Sequence, residues 1–145
     1  MSTTAQGVFE LAIHLMDEQH RHTGAADFAD TAPYKNRTLA ILNVLLSECL
    51  PCSDTFAVPA AGVRPVCPEI TGFDTPIPLD DGICRGVLPY GLAAHLLLDE
   101  HNGLAAYFSD RYRERLAALN HTLPRDFVPI EEVYGGIGFS AAARW

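Results

Sequence analysis

The architecture of this chain turns on Gly86-Val87-Leu88-Pro89-Tyr90-Gly91-Leu92-Ala93-Ala94-His95-Leu96-Leu97-Leu98-Asp99-Glu100. The run is too long for an ordinary strand and too interrupted for a membrane span. It reads as a central, heavily packed helix. Leu79-Asp80-Asp81-Gly82 opens it, with acids at the positive end of the helix dipole. Pro89 donates no hydrogen bond, so it should bend the helix or divide a short one from a longer one. Gly91 permits close packing there, and His101-Asn102-Gly103 is the expected C-cap.

Outward from this run the chain reads as helices joined by short or broken links. A last helix is expected from about Leu104 to Leu119, ended by Pro124, with Leu104, Phe108, Tyr112, Leu116 and Leu119 near one face. Its very short linker makes it an antiparallel partner of the preceding helix. Upstream, a helix should begin near Thr31–Tyr34, with Thr31 as N-cap and Pro33 in the first turn. It carries apolar residues around most of its circumference and is stopped by Pro51. Such a helix lies at the centre of the monomer or is partly covered by a neighbouring subunit. A first helix runs from about Gln6 to Gln19, with Thr3 or Thr4 as its cap. Between the first two helices, His20 to Pro33 is a polar connector anchored by Phe28.

Two segments stand apart. Residues 52–78 form a long loop rich in Pro and Gly, with extended pieces at Thr55–Val58 and Val63–Val66. Val66, Ile70, Phe73 and Ile77 are its expected anchors. From Arg125 to Trp145 the chain changes character: Phe127, Val128, Ile130, Val133 and Tyr134 precede Gly135-Gly136 and Gly138, and Phe139 and Trp145 follow. Exposed aromatics are costly in water, so this tail folds back on its own domain or inserts into a partner. The fold class is therefore all-α: a small bundle of about four helices in residues 1–124, the long loop within it, and an extended C-terminal arm, 125–145.

The totals bound the function. A chain of 145 residues makes one domain with a real core. Asp plus Glu is 18 against 10 for Lys plus Arg, so the bulk surface does not grip nucleic acid, though one face can still be locally basic. No signal peptide is visible at the start, and no segment reaches the roughly 18 apolar residues of a membrane helix. A reducing cytoplasm is the expected place of synthesis.

Candidate chemistry is sparse. Cys49 and Cys52 form C-x-x-C, and a zinc site would need Cys67 and Cys84 to converge on them. Cys49 sits at a helix end, not at the helix start that activates a redox thiol. Four structural thiols are the simpler reading. His14, His20 and His22, with Asp17 and Glu18, mark a solvent-facing helix end; His14 and Glu18 would share a face. His95 and Asp99 are spaced like a base and its orienter, but the flanking leucines suit a histidine at a packing interface. Asp80-Asp81 reads as helix capping before metal binding. No nucleophile elbow and no phosphate-binding glycine loop is present. The chain reads as a non-enzyme with no catalytic residue, metal or cofactor.

Three stretches resemble a family of small head–tail proteins of tailed bacteriophages and prophages. They are Tyr34-Lys35-Asn36-Arg37-Thr38-Leu39-Ala40-Ile41-Leu42-Asn43; Leu79-Asp80-Asp81 through Leu88-Pro89-Tyr90-Gly91-Leu92-Ala93-Ala94-His95-Leu96; and Tyr107-Phe108-Ser109-Asp110-Arg111-Tyr112 with Ile130-Glu131-Glu132-Val133-Tyr134-Gly135-Gly136. The resemblance implies a head–tail connector, or adaptor, in the virion neck. Such adaptors are mainly helical, form rings of about twelve copies through heterologous contacts, dock beneath the portal protein, and pass genomic DNA to the tail. Ile130, Val133, Tyr134, Gly135 and Gly136 would belong to a portal-docking arm, to which Phe139 and Trp145 are added from their apolar character. Leu42, Leu46, Leu88, Pro89, Tyr90, Gly91, Phe108 and Tyr112 would serve helix packing or a subunit interface. The long loop departs from simple connectors and could contact a tail or head-closure neighbour. A head-closure or tail-completion protein, a non-phage helical interaction protein and a zinc-dependent domain stay open as alternatives.

Overall fold

Pro89 divides the central run. In the computed structural model the chain breaks at Val87, giving α3 (Asp81–Gly86) and α4 (Leu88–Leu96), with Pro89 in the first turn of α4 where its missing donor costs nothing. The other α-helices are α1 (Ala5–Leu15), α2 (Ala32–Cys49) and α5 (Asn102–Thr122). The structure describes residues 2–56 and 61–122, and side chains as far as Leu119. Among these the architecture is all-α; the only strand-like pairing is an isolated bridge of Thr4 with Pro76. No described helix is long and apolar enough to cross a membrane.

α4 is the hub. Leu88, Leu92, Ala93 and Leu96 have no exposed surface, and the helix packs against α1, α2, α3 and α5. α1 presents Val8, Phe9, Ala12 and Ile13; α2 presents Leu42, Leu45, Leu46 and Cys49. α5 runs back along α4 with Ala105, Phe108 and Tyr112 buried and Leu116 and Leu119 half-buried. The apolar face of α5 thus starts at Ala105; Leu104, expected on it, is 39% exposed. Apolar residues do run round most of α2, but the chain buries only one side of it, and Val44 on the other is 56% exposed.

Helix ends explain the shifted boundaries. Thr4 caps α1, its hydroxyl accepting from Gly7 N at 3.2 Å. α1 stops at Leu15, short of Gln19, in a Schellman arrangement: Glu18 N donates to Ile13 O, Asp17 N donates to His14 O, and Asp17 takes φ 59°. Asp instead of Gly in the left-handed position hides this stop from a sequence reading. α4 stops at Leu96, not near His101. His101 belongs to the next helix, where its Nδ1 accepts from Leu104 N at 3.1 Å, so Gly103 lies inside the first turn of α5 and is no C-cap. Thr31 does not cap α2; its hydroxyl accepts from Phe28 N and donates to Ala26 O, closing the turn before the helix. Pro51 ends α2 as expected, through a 3-10 turn at Leu50–Cys52.

The long loop is pinned at both sides of its tip. Asn43 Nδ2 donates to Ile70 O at 2.9 Å and Ile70 N donates to Asn43 Oδ1 at 2.8 Å. Asp80, the N-cap of α3, accepts from Ile83 N, Ser53 Oγ and Asp54 N. Ile70 and Ile77 are buried and Phe73 stands edge-on to Phe9, but Val66 is 90% exposed and anchors nothing.

At Gly91 the Tyr112 side chain of α5 packs directly against the α4 backbone. A Cβ there would meet Tyr112 Cδ2 at 2.8 Å, Tyr112 Cε2 at 3.0 Å and Leu45 Cδ1 at 3.1 Å. Gly91→Ala should destabilise the chain by about 1–3 kcal/mol despite the better helix propensity of alanine. Urea unfolding at fixed pH checks this; an unchanged or raised midpoint would mean that the ring moves aside without cost.

Candidate functional site

Packing candidates and surface candidates separate cleanly in space. Leu42, Leu46 and Leu88 are fully buried, Pro89 and Gly91 are buried, and Phe108 and Tyr112 are 4% and 8% exposed. All seven pack within this chain's own core, which leaves them no surface for a neighbouring subunit. Tyr90 alone is half-exposed, its ring 6.3 Å from that of Phe108 and 5.7 Å from the Arg111 guanidinium. Ile130, Val133, Tyr134, Gly135, Gly136, Phe139 and Trp145 lie outside the described residues, as do Pro124 and the end of the Thr55–Val58 piece.

Polar clips tie the core to its rim. Tyr112 Oη donates to Glu48 Oε2 at 2.8 Å and lies 3.4 Å from Cys49 Sγ. Burial first, then Cys49 and Glu48, pushes the Tyr112 phenol up, so it stays a neutral donor. Tyr34 Oη donates to Glu100, and Arg37 donates to the Leu96 carbonyl at the end of α4. Thr3, Asp81 and Arg85 form a third clip: Thr3 Oγ1 donates to Asp81 Oδ1 at 3.0 Å and accepts from Arg85 Nε at 3.2 Å. Asp80 and Asp81 thus work at a helix start, as their sequence position suggests.

His20 and His22 stay together, their rings 5.9 Å apart, beside Asp17, Glu18 and Asp30 around an open hollow of about 870 Å³. His14 and His22 are exposed, and His20 accepts from His22 N and Thr23 N through Nδ1. Glu18 falls past the end of α1, so His14 and Glu18 do not share a helical face. His95 is exposed in the single chain, and Asp99 lies beyond the end of α4, so the one-turn pairing does not form. Among the described residues no group of three or more His, Cys, Asp or Glu is placed to hold a metal ion.

What the sequence did not single out is a groove. It measures about 360 Å³ and lies between the end of α4 and the first half of α5. Ala94, His95 and Leu98 form one wall and Asn102, Ala106 and Ser109 the other, over Ala105. Leu98 is 58% exposed. The groove exists because alanines occupy adjoining positions on two antiparallel helices, where larger side chains would fill the space. A smaller hollow of about 290 Å³ lies between Gly82 and Gly86 of α3 and Arg115 and Ala118 of α5.

No family model, curated protein or solved structure matches this chain.

The four thiols are free and differ in environment. Burial pushes the Cys49 thiol up to about 11, and burial with the nearby Asp80 and Asp81 pushes Cys84 up to about 12, both from an ordinary 9.0. Cys52 and Cys67 are half-exposed. Burial also pushes the Cys67 thiol up, so a disulfide reagent at neutral pH should label Cys52 first, Cys67 more slowly, and Cys49 and Cys84 only on unfolding. The same shift sets a pH slope. Between about 9 and 11 the unfolded chain has lost the Cys49 proton and the folded chain keeps it, so stability falls as pH rises. Labelling followed by mass spectrometry, and urea midpoints across that window in wild type and Cys49→Ala, check both; equal labelling of all four thiols would contradict the burial.

Proposed function

We propose that this chain is a structural neck component of a tailed phage or prophage, a head–tail adaptor that forms a ring beneath the portal protein. One observation carries the reading. The described parts of the stretches that resemble the adaptor family are contiguous in space: Tyr34–Asn43 lies on α2, Leu79–Leu96 leads into and spans α3 and α4, and Tyr107–Tyr112 lies on α5, while residues 130–136 lie outside the described residues. These helices pack on one another through α4. The resemblance therefore follows a connected scaffold, not scattered motifs.

The remaining features fit this role. A ring requires heterologous contacts, and exposed apolar side chains on different faces, Val44 on α2, Val66 in the long loop and Leu98 after α4, are suited to them. The arm, with Ile130, Val133, Tyr134, Phe139 and Trp145, reaches the portal; neighbouring tail or head-closure proteins meet the opposite side. A net charge of −8 suits a passage that lets genomic DNA through without holding it. No catalysis, metal or cofactor enters this role.

Mixing the purified chain with its portal protein and imaging the product by cryo-electron microscopy tests the proposal. A ring seated on the portal, with residues 130–145 ordered against it, is the expected result. Absence of association, or a tight and salt-sensitive affinity for duplex DNA in a filter-binding titration, would overturn it.

A further inference from the structure

We infer that the groove between α4 and α5 is the docking site for this chain's own C-terminal segment, residues 130–145. Reach sets which part of the arm can enter. α5 ends at Thr122, and at about 1.5 Å per residue Ser109 lies about 20 Å back along its axis and Asn102 about 30 Å. An extended chain covers about 3.3 Å per residue, so about six to nine residues are spent returning to the groove. The chain before about residue 129 cannot enter it, and the chain from Ile130 onward can. That is where Ile130, Val133, Tyr134, Phe139 and Trp145 occur, separated by Gly135, Gly136 and Gly138, which allow the backbone to turn closely over a helix surface.

The chemistry of the groove matches this occupant. Ala94, Ala105 and Ala106 leave room, Leu98 supplies an exposed apolar wall, and the cavity of about 360 Å³ accommodates an aromatic ring. His95, Asn102 and Ser109 give the rim donors and acceptors for the backbone of an extended segment, whose polar groups need partners once covered. Docking covers both the apolar wall and the aromatics that would otherwise face water. This contact does not depend on the portal as eventual partner; a portal, or any other binder of the arm, would have to compete with the groove for it.

The test uses the full chain and compares hydrogen exchange of residues 130–145 and 94–109 in wild type and variants. Ala106→Arg and Leu98→Asp change exposed positions of the groove, and Phe139→Asp with Tyr134→Asp changes only the segment. Ala40→Arg, at an exposed position of α2, is the control. Docking predicts protection of the segment in wild type, a several-fold faster exchange there in Ala106→Arg and Leu98→Asp, faster exchange at 94–109 in the segment variant, and no change in Ala40→Arg. Emission of Trp145, the sole tryptophan, should shift to the red in both groove variants. An unprotected segment in wild type, protection that survives both groove variants, or protection lost on dilution (a neighbouring copy's groove) would each overturn the proposal. Portal binding measured separately keeps this result distinct from the adaptor assignment.

Discussion

Everything in this fold leans on the approach of α4 to α5 at Gly91. With no side chain at that position, the Tyr112 ring lies directly on the α4 backbone, and Leu45 of α2 closes the same point from another side. Three helices therefore meet at one residue. The short link from Leu97 to His101 can then fold α5 back antiparallel, because the two helices are close enough for Ala94 and Ala105 to share a boundary. A larger residue at Gly91 would push α5 outward and open the seam that α4 holds together.

Around that seam the polar groups serve as clips. The Tyr112 phenol, trapped between helices, donates to Glu48 at the edge of α2, so a buried polar atom keeps a partner and fixes the register of α5 against α2. Asn43 imitates a strand neighbour for Ile70, giving an irregular loop residue both of its backbone hydrogen bonds. Asp80 serves two ends at once, the start of α3 and the return of the loop at Ser53. A small helical core is in this way bound to a loop that has no regular structure of its own among the described residues.

The functional consequence is a division of labour. The residues that pack the helices are spent on the core, and the surfaces left for partners are elsewhere: the α4–α5 groove, the exposed face of α2 and the loop tip. In the adaptor reading the helical body presents these surfaces, and the apolar C-terminal segment is the proposed portal contact. In the docking proposal the groove is where that segment rests before a partner takes it.

Helix existence was legible in the sequence; helix ends were legible only where their chemistry is common. Pro89, Pro51 and the Thr4 cap act through the local backbone, so spacing and residue type were enough to place them. Asp17 in a left-handed conformation and His101 as a cap are rare uses of those residues, and they misplaced two ends. That Leu42, Leu46, Leu88, Phe108 and Tyr112 pack was also readable. Whether they pack within one chain or between chains was not, because periodicity reports an apolar face and never what covers it. The tertiary structure alone decided which glycine is pressed against a ring, which carboxylate receives the buried tyrosine, and that small residues on two helices leave a groove. These depend on distances between segments far apart in sequence, whereas the sequence by itself determines local conformation and the side of each helix that avoids water.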